Sequence, residues 1–142
     1  MTGVGVMRTV ACLLALTLAA AAAAHQKSKW VRVYTFDDAV IEMEEIQLSF
    51  GNFGRIRFRT VFKKPRPLPG QPDVLFKTVI EDMELKCREH EYRLTDALYL
   101  NRKGGAVHFY KAKGDEEWSE VRTHMMLKIL DPACRMIEKK RL

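Results

Sequence analysis

Histidine, serine and cysteine, the side chains that most often carry acid–base and nucleophilic chemistry, are scarce in this chain. Four histidines are present; after His25 they are His90, His108 and His124, on separate elements and outside any recognisable catalytic motif. Serine occurs only at Ser28, Ser49 and Ser119, none of them in a nucleophile motif, and no glycine-rich phosphate loop is present. Catalysis needs titratable groups that converge in a pocket. The sequence therefore reads as a non-enzymatic protein with no cofactor motif.

Long apolar runs are also lacking, with one exception at the start. Arg8 is the only charge before His25, Val10 to Leu18 is apolar, and Ala19 to Ala24 supplies small residues ahead of a cleavage point. This is the order of a signal peptide over residues 1–24. The run falls short of the ~20 residues that a spanning helix needs, so cleavage is expected in preference to an uncleaved anchor. Met7, followed by Arg8, offers a second start site. Residues 25–142 remain, enough for one domain with a single core, and they hold no transmembrane segment. The formal charge of +6 suits a protein near anionic surfaces. An exported chain has little opportunity to meet nucleic acid, so the expected location is extracytoplasmic, in the periplasm, secreted or at the cell surface.

Cysteine is rarer still, with three in all: Cys12 in the leader, then Cys87 and Cys134. In an oxidising compartment the latter two are expected to pair. The competing reading makes Cys87, His90, His124 and Cys134 a zinc site, but a second tight ligand pair is missing. The expectation is a disulfide and no metal.

Proline is confined to 65–72 and to Pro132. Pro65, Pro67, Pro69 and Pro72 remove four backbone donors, which excludes a central strand or a helix there and predicts an exposed loop. Around that loop the two-residue period of strands dominates. Lys29 to Phe36 is aromatic and β-branched, with a turn at Asp37-Asp38. Ala39 to Leu48 is less clear, because Glu42, Glu44 and Glu45 favour helix by propensity; the hairpin-like Ser49 to Gly54 that follows decides for a strand. Val74 to Cys87 and Glu91 to Leu100 follow as strands, with a bend at Arg88-Glu89-His90. In the first of them Met83, Leu85 and Cys87 share a face. Asn101 to Gly105 is a hairpin turn, and Ala106 to Lys111 returns as a strand with His108 toward solvent. Trp118 reads as a packing anchor. Met126, Leu130, Cys134 and Ile137 recur at helical spacing, Thr123 is the expected N-cap, and Pro132 predicts a kink or break near Asp131.

Arg55 to Lys63 shows the cleanest alternation. Ile56, Phe58, Thr60 and Phe62 form one face, and Arg55, Arg57 and Arg59 lie in a row on the other, about 7 Å apart. Such a row is either a solvated outer face or a contact for anionic groups, with Glu42, Glu44 and Glu45 as candidate neutralising partners. Arg55, Arg57 and Arg59 are the candidate anion or partner contact.

Taken together, the leader, Trp30 opening the first strand, Arg55 to Phe62, Cys87, Arg93, Tyr99, Gly105, Trp118 and a C-terminal helix with Cys134 make an ordered set. In that order the chain resembles the surface-adhesin protein E-like domains of bacterial exported proteins, over residues 29–138. Pro132 and the proline stretch at 65–72 depart from the pattern. The resemblance implies an antiparallel sheet of about six strands with the C-terminal helix packed on one face. It also implies a non-enzymatic, adhesin-like envelope protein. Strand counting from the pattern alone also reaches six. The expectation is thus a single α+β domain with one disulfide, binding an anionic envelope lipid, a polysaccharide or an external protein. The alternative is a periplasmic small-molecule carrier with a pocket between sheet and helix.

Overall fold

The computed structural model describes residues 29–44 and 48–139; the leader and Glu45 lie outside them. The strands are β1 (Val31–Thr35), β2 (Ala39–Met43), β3 (Leu48–Phe50), β4 (Phe53–Leu68), β5 (Gln71–Lys86), β6 (Glu91–Leu100), β7 (Ala106–Lys111) and β8 (Ser119–Glu120), followed by helix α1 (His124–Lys139). All pairs are antiparallel, and the sheet runs β1-β2-β4-β5-β6-β7. The short β3 and β8 add to β4 and β6. The six strands of this path are the six expected from the sequence; their order in the sheet is set by the structure.

Register follows from the apolar face. Met43 lies opposite Phe58 on β4, and on β5 Met83 and Leu85 face Ile56 and Gly54. Met43, Ile56, Phe58, Leu85 and Cys87 form a buried cluster with Leu130, Ala133 and Ile137 of α1, and Met83 packs against it. A three- then four-residue spacing puts those helix side chains on one stripe, and each large one contributes about 1.5–3 kcal/mol by burial. Ile137 sits directly over Gly54, where any Cβ would overlap its Cγ1 and Cδ1. Glycine is needed there for close approach, not for an unusual φ. Cys87 and Cys134 are joined, with Cα atoms 5.6 Å apart and a sequence separation of 47, so the helix is tied to the end of β5. In the chain-entropy description a loop of that size is worth roughly 4 kcal/mol.

A second cluster of Leu68, Phe76, Val79 and Ala97 fills the opposite end of the same face. Phe76 stacks edge-on with Phe62 and Tyr99 at 5.6 and 5.0 Å.

Two sequence expectations are corrected. The proline stretch is the tip of the long β4–β5 hairpin: Arg66 pairs with Phe76, Pro67 with Leu75, and Leu68 with Gln71 across Pro69-Gly70. Gly70 has φ 76°, which a proline–glycine turn requires at its third position. The prolines are tolerated because β2 has ended by then, at Ala39 opposite Phe62, leaving this part of β4 with a single strand neighbour. Likewise α1 runs from His124 to Lys139 with Pro132 inside it and without a break. Pro132 forfeits the bond to the Lys128 carbonyl, a loss taken on the exposed side of the helix, where Lys128 lies. Leu130, Ala133 and the disulfide hold both sides of the proline against the sheet. The expected cap is present, with the Met126 N–H donating to Thr123 Oγ1 at 3.2 Å.

Candidate functional site

Alternation along β4 sends Arg55, Arg57 and Arg59 together to the face opposite the helix. None of the three stands alone. Arg59 Nε donates to Glu42 Oε2 at 2.8 Å, and Glu42 is its register partner on β2. Arg57 makes a two-pronged contact with its register partner Asp82, at 2.7 and 2.9 Å, and lies 3.7 Å from Glu44. Arg55 reaches Asp96 at 3.0 Å and Thr95 at 3.2 Å. The lattice continues through Glu84–Arg93 and Lys86–Glu91. Two tryptophans bracket it: Trp30 under the Arg59 guanidinium at 4.3 Å, and Trp118 beneath Lys86 and Arg93 at 4.1 and 4.7 Å.

This lattice has a structural job. Asp82 and Asp96 are directly opposite in the β5–β6 register, a like-charge pairing that destabilises a sheet. Arg57 takes one carboxylate and Arg55 the other. Hydrogen bonding to Asp82, ahead of its coulombic pull, raises the Arg57 pKa further above its ordinary value. Glu44 is almost fully buried, and its Oε2 has no hydrogen-bond partner, which leaves Arg57 as its charge partner.

Where the lattice meets the far side of β6, a cleft of about 300 Å³ opens, lined by Arg55, Glu84, Arg93, Asp96, Lys111 and Glu116 among others. Glu116 closes its rim by accepting the N–H groups of Lys113 and Gly114 at 2.7 and 2.9 Å. Those backbone bonds, the one from Lys113 foremost, hold its carboxyl below the usual carboxylate range. Lys111 differs from its neighbours: among the described residues it has no carboxylate within ion-pair distance. It is one of the cations of this face with charge to spare; Arg32, the register partner of Glu42 on β1, likewise makes no ion pair among the described residues. By contrast, the gap between sheet and helix, lined by Leu85, Cys87, Leu127 and Leu130, measures about 20 Å³. That is room for one water and no organic ligand.

Of the sequence candidates, Arg55, Arg57 and Arg59 share one face as expected, and Glu42 and Glu44 are among their partners. Asp82, Asp96, Thr95 and Lys111 were not singled out, because cross-strand register brings them in from 25 or more residues away for Asp82 and Asp96. Glu81 was also missed. Counting back by twos from Cys87 puts it on the helix side of β5, between Phe58 and Ala97. Burial there pushes its carboxyl pKa up. Burial, with Glu81 as a second cause, also raises Tyr99. The cysteines are consumed by the disulfide and offer no thiolate to a metal, and among the described residues no cluster of three or more His, Cys, Asp or Glu side chains is placed to hold one. No helix among them is long and apolar enough to cross a membrane. Comparison of the chain with family models, curated proteins and solved structures finds no match.

Proposed function

We propose that the protein is an exported, non-enzymatic binding module of the bacterial cell envelope that takes its ligand on the outer, charged face of the sheet. The observation that carries this reading is the filled space under the helix, about 20 Å³ between Leu85, Leu127 and Leu130, against an open, charged cleft of about 300 Å³ on the outer face. A core filled by Leu85, Leu130, Ala133 and Ile137 leaves a carrier no apolar space between sheet and helix. The cleft of about 260 Å³ beside the cystine is lined by His90, Asp131, Arg135 and Glu138, a polar rim unlike an enclosed cargo cavity. Export is supported by the leader and by a disulfide that fits an oxidising compartment. The adhesin-like reading rests on the resemblance to surface-adhesin protein E-like domains, whose expected sheet, helix and cystine have counterparts here.

The structure also redirects the ligand argument. Arg57 and Arg59 are committed to carboxylates, so the row as a whole is not a free anion trap. The anionic group, a phosphate or carboxylate of an envelope lipid or polysaccharide, is assigned to the cleft, where Lys111 is uncommitted and Arg55 and Arg93 flank it. Binding to vesicles containing anionic phospholipid or lipopolysaccharide should weaken several-fold in Lys111→Gln, with the melting temperature unchanged. Arg57→Gln should leave binding nearly intact and lower stability by about 1 kcal/mol. Raising salt should weaken the wild-type interaction, since exposed charges are screened beyond about 8 Å at physiological strength. Binding that is indifferent to Lys111 and to salt would remove this assignment.

A further inference from the structure

We propose that β7 is a homodimerisation edge, through which two copies join their sheets into one. β7 is hydrogen-bonded to β6 alone, and it is neither bulged along its second half nor interrupted by proline. Native edges of this kind are normally covered, charged or broken, because unpaired N–H and C=O groups template another strand. Here the edge instead displays Phe109, 58% exposed, and Tyr110, 40% exposed.

Backbone direction selects the register. The Ala112 N–H donates to Thr95 O at 2.8 Å, so by alternation the groups of Tyr110 and His108 also point toward β6. Those of Phe109 and Lys111 point outward. A two-fold axis perpendicular to the sheet keeps the two inner faces aligned, and it allows Phe109 to exchange both hydrogen bonds with Phe109 of the second copy. His108 then lies beside Tyr110 of the second copy on the inner face, and Lys111 comes level with Val107, the bulged residue that packs against the inner cluster.

The flanks fit the same register. Ahead of β7 is the basic turn with Arg102 and Lys103; after it comes the acidic segment Asp115-Glu116-Glu117. Antiparallel pairing centred on Phe109 brings the basic turn of each copy alongside the acidic segment of the other, twice. This charge complementarity favours a second copy over an unrelated strand. A dimer so formed places two Lys111 side chains on one continuous outer face, about 14 Å apart along the strands. The edge argument does not depend on what the cleft binds.

The test is sedimentation or light scattering of the purified protein with two charge-reversed forms, Arg102→Glu/Lys103→Glu and Asp115→Lys/Glu117→Lys. Glu116 is kept because it holds the loop backbone. Wild type should be dimeric at micromolar concentration, each reversed form should dissociate at least tenfold more readily, and an equimolar mixture of the two should recover the dimer. Phe109→Cys should cross-link to itself under oxidising conditions, while Val31→Cys on the opposite edge should not. A wild-type monomer at 100 µM, a dimer indifferent to both reversals, or cross-linking at position 31 in place of 109 would overturn the proposal, including the case in which β7 captures a peptide from another protein. Loss of vesicle binding in Lys111→Gln without any change in mass would bear on the cleft alone.

Discussion

Glu81 shows most clearly what one side chain costs this fold. It lies on the helix side of β5, opposite Phe58 and Ala97, where burial disfavours its charged form and raises its pKa. A carboxyl with a raised folded-state pKa binds its proton more tightly in the native than in the unfolded chain. Its contribution is therefore most favourable below the unfolded value, and it is lost as pH rises through the interval up to the folded one. Glu81→Gln should raise the melting temperature at neutral pH and flatten its pH dependence just above the ordinary carboxyl range. A melting curve at pH 7 that falls in the variant would show that the carboxylate has a partner there worth more than its desolvation. Counting by twos from Cys87 leads to Glu81 on this face. Composition argues against a glutamate there and is the stronger prior for an isolated residue, which is why the sequence alone does not single it out.

At the scale of elements, what could be read from the sequence depended on how local the cause was. The strand at Arg55 to Lys63, the turn at Asn101 to Gly105 and the Thr123 cap rest on neighbours in the chain and are found where expected. The proline stretch rests on a non-local fact: β2 ends beside Phe62, so the hairpin beyond it needs fewer donors than a central strand would. Pro132 is similar, since its helix is held by burial of Leu130, Ala133 and Ile137 and by Cys134, not by propensity. The arginine row was visible, and Glu42 and Glu44 were foreseeable partners, but Asp82 and Asp96 reach it only through the β4–β5–β6 register. The cystine is the element-scale staple. Cys134→Ser should cost about 2–5 kcal/mol in chemical denaturation, and reduction of the wild type should cost a similar amount. A cost below 1 kcal/mol would mean that the helix is held by its apolar stripe alone.

For the whole molecule, two faces of one sheet divide the work. The inner face is closed by α1 at one end and by the curled β4–β5 hairpin at the other, with residues such as Leu85 and Ile137 fully buried. The outer face is polar and largely internally paired, and Lys111 is the cation without an ion pair that lines its cleft. On the proposed reading stability and binding are separable, with Arg57 assigned to the first and Lys111 to the second although both lie on one face. Amide and methyl chemical shifts during titration with anionic lipid or lipopolysaccharide test this most directly. The account predicts perturbations centred on Arg55, Arg93, Lys111 and the 112–116 segment, with the methyl groups of Leu130 and Ile137 unmoved. Shifts concentrated beneath the helix, at Leu85, Leu130 and Ile137, would contradict it and make the protein a carrier.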